Sequence, residues 1–209
     1  MIFKLTVETL LSGAVICQTA YPDHFEYLQA PANAERVHEF LSQLDRSLTH
    51  FEAAGAYYCT FDSIDDSNRR AISQLFSSVR SHFRPLVEWL DMLLRATGHD
   101  APLHAKDSIK FTSLLEAFEH DQTLSEQLRR LTTMAPFKTN RVEIRDQLGT
   151  VLAKLEEMGY LVRHAPGSNT WYATARFDLI YLLIEFLNDS EKLELPEVQE
   201  PDPQEELLL

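Results

Sequence analysis

Apolar residues return every three or four positions through the last third of the chain, at Leu148, Val151, Leu152, Leu155 and Met158. That spacing puts one stripe of a helix against a core. The helix reads NRVEIRDQLGTVLAKLEEMGY: Asn140 and Glu143 stand at capping-box spacing, and Gly159 falls where a left-handed residue ends a helix. Two β-prone runs follow, YLVRHA and TWYATA, joined by Pro-Gly-Ser-Asn, which predicts a hairpin.

Upstream, SIKFTSLLEAFEH reads as a helix, Asp121-Gln122-Thr123 as a turn, and LSEQLRRL as a second helix. Helix, turn, helix, helix, hairpin is the order of a winged-helix domain. The amino-terminal part repeats it. A helix is expected over Leu5–Gln18, burying Leu10, Leu11, Ala14 and Val15, and Pro22 and Pro31 open two more. The second of these, ANAERVHEFLSQLDR, should turn Val37, Phe40, Leu41 and Leu44 inward, and SLTHFEAAGAYYCTF should form a hairpin around Gly55. The two parts share an order of elements and no sequence period.

Between them Ser67–Thr97 is helical in pattern, with Pro85 predicting a break near Arg84 and a second helix from Pro85. The expected fold is therefore mainly α with small β-hairpins, as tandem winged-helix domains. The first spans 1–66, connecting helices span 67–104, and the second spans 105–189. After the second hairpin, FDLIYLLIEFLND is apolar nearly all round and needs a covering surface. From Ser190 the chain is acidic and proline-containing, which predicts a disordered tail over 190–209, with Leu207–Leu209 as a possible anchor.

Composition narrows the function. The 209 residues carry a net charge of −13, which at first opposes nucleic-acid binding. Residues 190–209 hold seven acids and one lysine, a net of −6. Arg129–Arg176 holds eight Lys/Arg against four acids, a net of +4. A basic hairpin domain on an acidic body is compatible with weak, salt-sensitive DNA contact. Lys138, Arg141 and Arg145 at the start of the helix before the hairpin, with Arg163, His164 and Arg176 in or beside it, are the candidate phosphate contacts.

Signatures of catalysis are missing. The six glycines never fall into GxGxxG or GxxxxGK[ST] spacing, and no GxSxG accompanies Cys17 or Cys59. VHEFLS has Ser42 where a zinc-protease helix needs its second histidine. His99, Asp100 and His104 lie together in a loop without a cysteine or second acid at ligand spacing. Neither enzyme activity, metal nor cofactor is expected. Two lone cysteines suit a reduced, cytoplasmic protein, and the first helix, carrying Glu8 and no basic leader, reads as folded rather than as a signal peptide. No apolar run approaches the roughly 20 residues of a membrane span.

Three stretches resemble one family. LLSGAVICQTAYPDHFEYL, RPLVEWLDMLLRATGHDAP and LAKLEEMGYLVRHAPGSNTWYATARFDLIYLLIEFL are similar to MksE subunits of MukBEF-like (Mks) bacterial condensins, over residues 5–189. The resemblance implies a kite subunit of tandem winged-helix domains. It implies a homodimer that binds an MksF-like kleisin and, through it, an SMC-like MksB-type ATPase. In some such systems a nuclease subunit directs the complex against plasmids. The acidic tail matches no family role. Exposed aromatics are the candidate partner contacts: Tyr57, Tyr58, Trp171, Tyr172 and Tyr181. Rival readings are the kite subunit of a Wadjet-type defence complex and a stand-alone winged-helix transcription regulator. Cytoplasmic, nucleoid-associated localisation goes with the first.

Overall fold

The structure is a computed structural model describing residues 1–98, 102–165 and 167–194; the side chains of residues 75, 76, 78–80 and 186–194 are outside the description. The chain divides into two units, Met1–Asp178 and Leu179–Leu209. Among the described residues the protein is mostly helical, with two small antiparallel sheets of three strands each.

Helix α1 spans Ile2–Leu11 and stops seven residues short of the expected end. Gly13 adopts φ +80°; its N–H donates to Leu10 O and the Ala14 N–H reaches back to Thr9 O. This reversal closes the helix. The next residues form strand β1, Ile16–Cys17, so Val15 is buried beside a strand rather than in a helix, Leu11 is exposed and Ala14 is half-buried.

Helices α2 (Pro22–Gln29) and α3 (Pro31–Ser42) each begin on the predicted proline. Val37 and Leu41 of α3 are fully buried, whereas Phe40 and Leu44 are exposed, which narrows the inner face to one residue per turn. The hairpin is present: β2 (Arg46–Phe51) and β3 (Ala56–Phe61) are joined by a 3₁₀ turn over Glu52–Ala54 and by Gly55 at φ +55°. Their sheet is ordered β1-β3-β2, packed on a core of Val7, Leu10, Ile16, Leu28, Val37, Leu41 and Tyr57.

The expected break at Pro85 is not made. Helix α4 runs unbroken from Arg69 to Thr97, with Pro85 inside it. Proline forfeits one backbone hydrogen bond, at roughly 3 kcal/mol. The turns after it bury Leu86, Trp89, Leu90, Met92 and Leu93, and Trp89 stacks on Phe118 at 6.3 Å, which offsets that loss. Gly98 at φ +64° ends the helix.

The second set of elements starts with a strand where a helix was expected. Ser108–Lys110 is β4, and α5 begins only at Phe111, ending at His120. The predicted turn shrinks to Asp121, whose carboxylate accepts from the Thr123 and Leu124 N–H groups and caps α6 (Gln122–Leu131).

Helix α7 spans Ile144–Glu157. It starts four residues after Asn140, so the expected capping box is not formed: Glu143 is the N-cap and makes no side-chain cap bond. Instead Gln147 Nε2 reaches back to Arg141 O at 2.9 Å and holds the preceding segment outside the helix. Strands β5 (Leu161–Val162) and β6 (Thr170–Ala173) complete a sheet ordered β4-β6-β5. Helix α8, Arg176–Glu194, follows. Phe177 and Ile180 are buried, Tyr181 is half-buried and Leu182 is exposed. Pro166 of the hairpin turn and residues 195–209, including Leu207–Leu209 of the expected tail, lie outside the described residues.

The two sheets match in more than strand order. In the first, Ile16 pairs with Tyr57; in the second, Ile109 pairs with Trp171. In both, an isoleucine of the first strand sits beside a core aromatic on the central strand. Because side chains alternate along a strand, the next residues, Tyr58 and Tyr172, point to the opposite face, and both are half-buried.

Candidate functional site

Of the basic residues before the second hairpin, Arg141 and Arg145 lie along one side of α7. Lys138 and Arg141 precede the helix and Arg145 lies in its first turn; all three are exposed. Beside them runs an open groove of about 550 Å³. Arg145, Gly149, Ala153 and Glu157 form its α7 wall, and Phe111, Asn169 and Trp171 lie across from them. The α7 residues recur at i, i+4, which is why one helix face lines the groove.

The charges of this wall are partly balanced within the chain. Arg141 Nη1 lies 3.9 Å from Asp146 Oδ2, and Lys154 Nζ donates to Glu157 Oε2 at 2.6 Å. Arg145 sits over the Phe111 ring at 5.6 Å and has no carboxylate partner among the described residues.

The other basic candidates are more engaged. Arg163 Nε donates to Glu156 Oε1 at 3.1 Å, its Nη2 lies 2.8 Å from Oε2, and its guanidinium sits 5.1 Å from the Trp171 ring centre. Trp171 Nε1 donates to the same Glu156 carboxylate at 3.2 Å. Arg176 is half-buried over Tyr160 at 5.6 Å. Burial pushes the Tyr160 hydroxyl up, and the Arg176 charge and hydrogen bond pull it part of the way back. His164 is exposed, with its ring 4.8 Å from Tyr172. The structure thus brings Arg141 and Arg145 together on the groove, keeps Lys138 exposed in the segment before α7, and spends Arg163 on the root of the hairpin.

Two of the five aromatic candidates are core residues. Tyr57 is 7% exposed, stacks on His50 at 4.3 Å and accepts from Gln29 Nε2 at 3.3 Å; burial raises its hydroxyl pKa. Trp171 is 6% exposed and lines the groove. Tyr58, Tyr172 and Tyr181 are half-buried. Phe111, Gly149 and Asn169 stand outside the candidate residues that the sequence offers. The legible signal among them was Gly149, an unfavourable residue in the middle of an otherwise regular helix.

Among the described residues no three His, Cys, Asp or Glu side chains gather as a metal site. His104 is turned to Asp178, Nδ1 to Oδ1 at 2.6 Å, while His99 and Asp100 lie outside the described residues. Cys17 is buried, and Cys59 is half-buried with its thiol pushed up by burial, against a smaller lowering by Arg46. No helix among the described residues is long and apolar enough to cross a membrane.

Two small sheets on a helical body and an open groove of mixed charge define a class: helical proteins whose recognisable feature is a surface rather than a cavity. The chain belongs to the MksE family, since the family model described as condensin complex protein MksE matches residues 2–181. It is thereby a subunit of a condensin complex. No curated protein matches the chain.

Proposed function

We propose that this chain is a non-enzymatic kite subunit that binds an MksF-like kleisin and, through it, an MksB-like SMC ATPase. The observation that carries the reading is the paired topology: two sheets ordered first-third-second, each with a core aromatic opposite an isoleucine. That arrangement supports a tandem winged-helix plan, with domains over 1–66 and 105–189 and a helical connection over 67–104. Family membership supplies the condensin setting.

In this reading Tyr58, Tyr172 and Tyr181 are the more accessible aromatic contacts, and Tyr57 and Trp171 act from the core behind them. Homodimerisation draws on the amino-terminal half. Lys138 and Arg141, ahead of α7, lead any DNA contact, with His164 secondary, Arg145 turned to the groove, and Arg163 and Arg176 committed to the fold. Binding through so few cations is weak, sequence-blind and salt-sensitive. The complex acts at the nucleoid in chromosome organisation or, with a nuclease subunit, in plasmid defence.

Co-expression of the full chain with an MksF-like kleisin and an MksB-like ATPase tests the reading. Retention of all three through gel filtration is expected. Purification of this chain alone, with operator-specific DNA binding, would replace the reading with a transcription regulator. A nuclease in the retained complex would select the defence role.

A further inference from the structure

Gly149 stands in the middle of α7, where glycine is about 1 kcal/mol worse than alanine. Nothing within the chain requires it. Its φ is not left-handed, and no atom outside its own surroundings lies within 4 Å of the place a Cβ would take. That empty space opens on the groove, one turn from Ala153. With glycine at 149 and alanine at 153, the middle of this helix wall lets another backbone approach closely, which is the general use of glycine at a binding surface.

Charge says what kind of chain fits. Arg141 and Lys154 have carboxylates beside them, whereas Arg145 has none among the described residues. Arg145 also lies in the first turn of α7, where the helix dipole adds positive potential. On the same wall Asp146 and Glu157 would repel a continuous phosphate backbone, so the groove suits a ligand with a carboxylate at one place rather than a polyanion. Asn169 is exposed on the facing wall, and a carboxamide can both donate to and accept from a peptide backbone.

We propose that this groove is a docking cleft for a short segment of the kleisin-type partner that carries one carboxylate, with its backbone along Gly149 and Ala153 and the carboxylate on Arg145. The proposal rests on the kleisin-binding reading above and deepens it. The volume, about 550 Å³, falls in the range of roughly 300–1,000 Å³ usual for binding clefts.

The test uses the full chain and the full-length kleisin, with affinity measured by calorimetry for wild type, Gly149→Leu, Gly149→Ala and Arg145→Glu. Gly149→Leu fills the groove and should weaken kleisin binding about tenfold or more, as blocking a hot spot does, while Gly149→Ala should change it far less. Arg145→Glu should also weaken it, with the deficit shrinking as salt is raised. Leucine is a better helix former than glycine, so the melting temperature of Gly149→Leu is expected not to fall and serves as the folding control. Wild-type binding with unchanged affinity in Gly149→Leu and Arg145→Glu overturns the groove and leaves the kleisin reading standing. Absence of wild-type binding removes both. Lost DNA retention with intact kleisin affinity overturns the proposal in favour of a nucleic-acid face.

Discussion

Glu156 on α7 holds Arg163 at the foot of the second hairpin by both edges of the guanidinium, Nε donating to Oε1 at 3.1 Å and Nη2 lying 2.8 Å from Oε2. The same carboxylate accepts from Trp171 Nε1, so one acid ties the helix to β6 and to the residue that follows β5. Both charged side chains are about two-thirds or more buried, where a paired, charge-assisted bond matters more than at a free surface.

Glu156→Ala should therefore destabilise the fold by about 2 kcal/mol, because it leaves a cation and an indole N–H without their acceptor. In a chain of this size that lowers the melting temperature by roughly 4–8 °C. A double-mutant cycle with Arg163→Ala in chemical denaturation measures the coupling; additive effects would mean the clamp contributes nothing beyond its separate side chains.

Two glycines in and after α7 should respond to alanine with opposite signs. Gly159 is at φ +78°, closes the helix through its N–H to Glu156 O and the Tyr160 N–H to Leu155 O, and lies 3.4 Å from Arg176 Nη1 at its missing Cβ. Gly159→Ala should cost about 1–2 kcal/mol through left-handed strain. Gly149→Ala, with open space and no left-handed φ, should gain about 0.5–1 kcal/mol. Denaturant midpoints read both, and equal signs would contradict the account.

The cap of α6 should be worth about 1 kcal/mol. Asp121 Oδ1 accepts from Thr123 N at 2.7 Å and Leu124 N at 3.2 Å, and Asp121→Ala leaves both donors to water. Asp121→Asn should keep most of that stability, which urea titration of the three proteins would show.

Acid and alkali should act on different places. The Ser67 hydroxyl, with the Asn68 and Ser67 N–H groups, holds the Asp65 carboxyl below its usual range. A lowered carboxyl favours folding above its unfolded pKa, and that contribution disappears as pH falls through the folded value. Ser67→Ala should move the Asp65 titration upward in carbon-detected NMR. Tyr57 and Tyr160 are raised by burial, so their contribution is whole below the unfolded tyrosine pKa and is lost as pH rises through the folded one. Ultraviolet titration should show two hydroxyls ionising after the rest, and Arg176→Ala should delay Tyr160 further.

Much of this fold is local. Pro22 and Pro31 mark the starts of α2 and α3, Gly159 marks the end of α7, and the i, i+3, i+4 stripe of Leu148, Val151, Leu152 and Leu155 is fully buried as its period requires. Gly13 carried the same signal as Gly159, followed by Val15 and Ile16, and a helix drawn through it overran into a strand. Of the groove, Arg141 and Arg145 were legible as exposed basic residues, but Phe111 and Asn169 were not, because nothing near them in sequence marks them as facing α7.

The helical stripes, the proline starts of α2 and α3 and the alternation along each strand can be read from the chain alone, since these follow from backbone geometry within a few residues. Packing makes strands of Ile16–Cys17 and Ser108–Lys110, for two or three residues have no ladder until β3 and β6 supply one from tens of residues away. It also decides which of two adjacent aromatics is core and which cation is spent on the fold. Register and ion pairing join residues distant along the chain, and no local pattern encodes the partner.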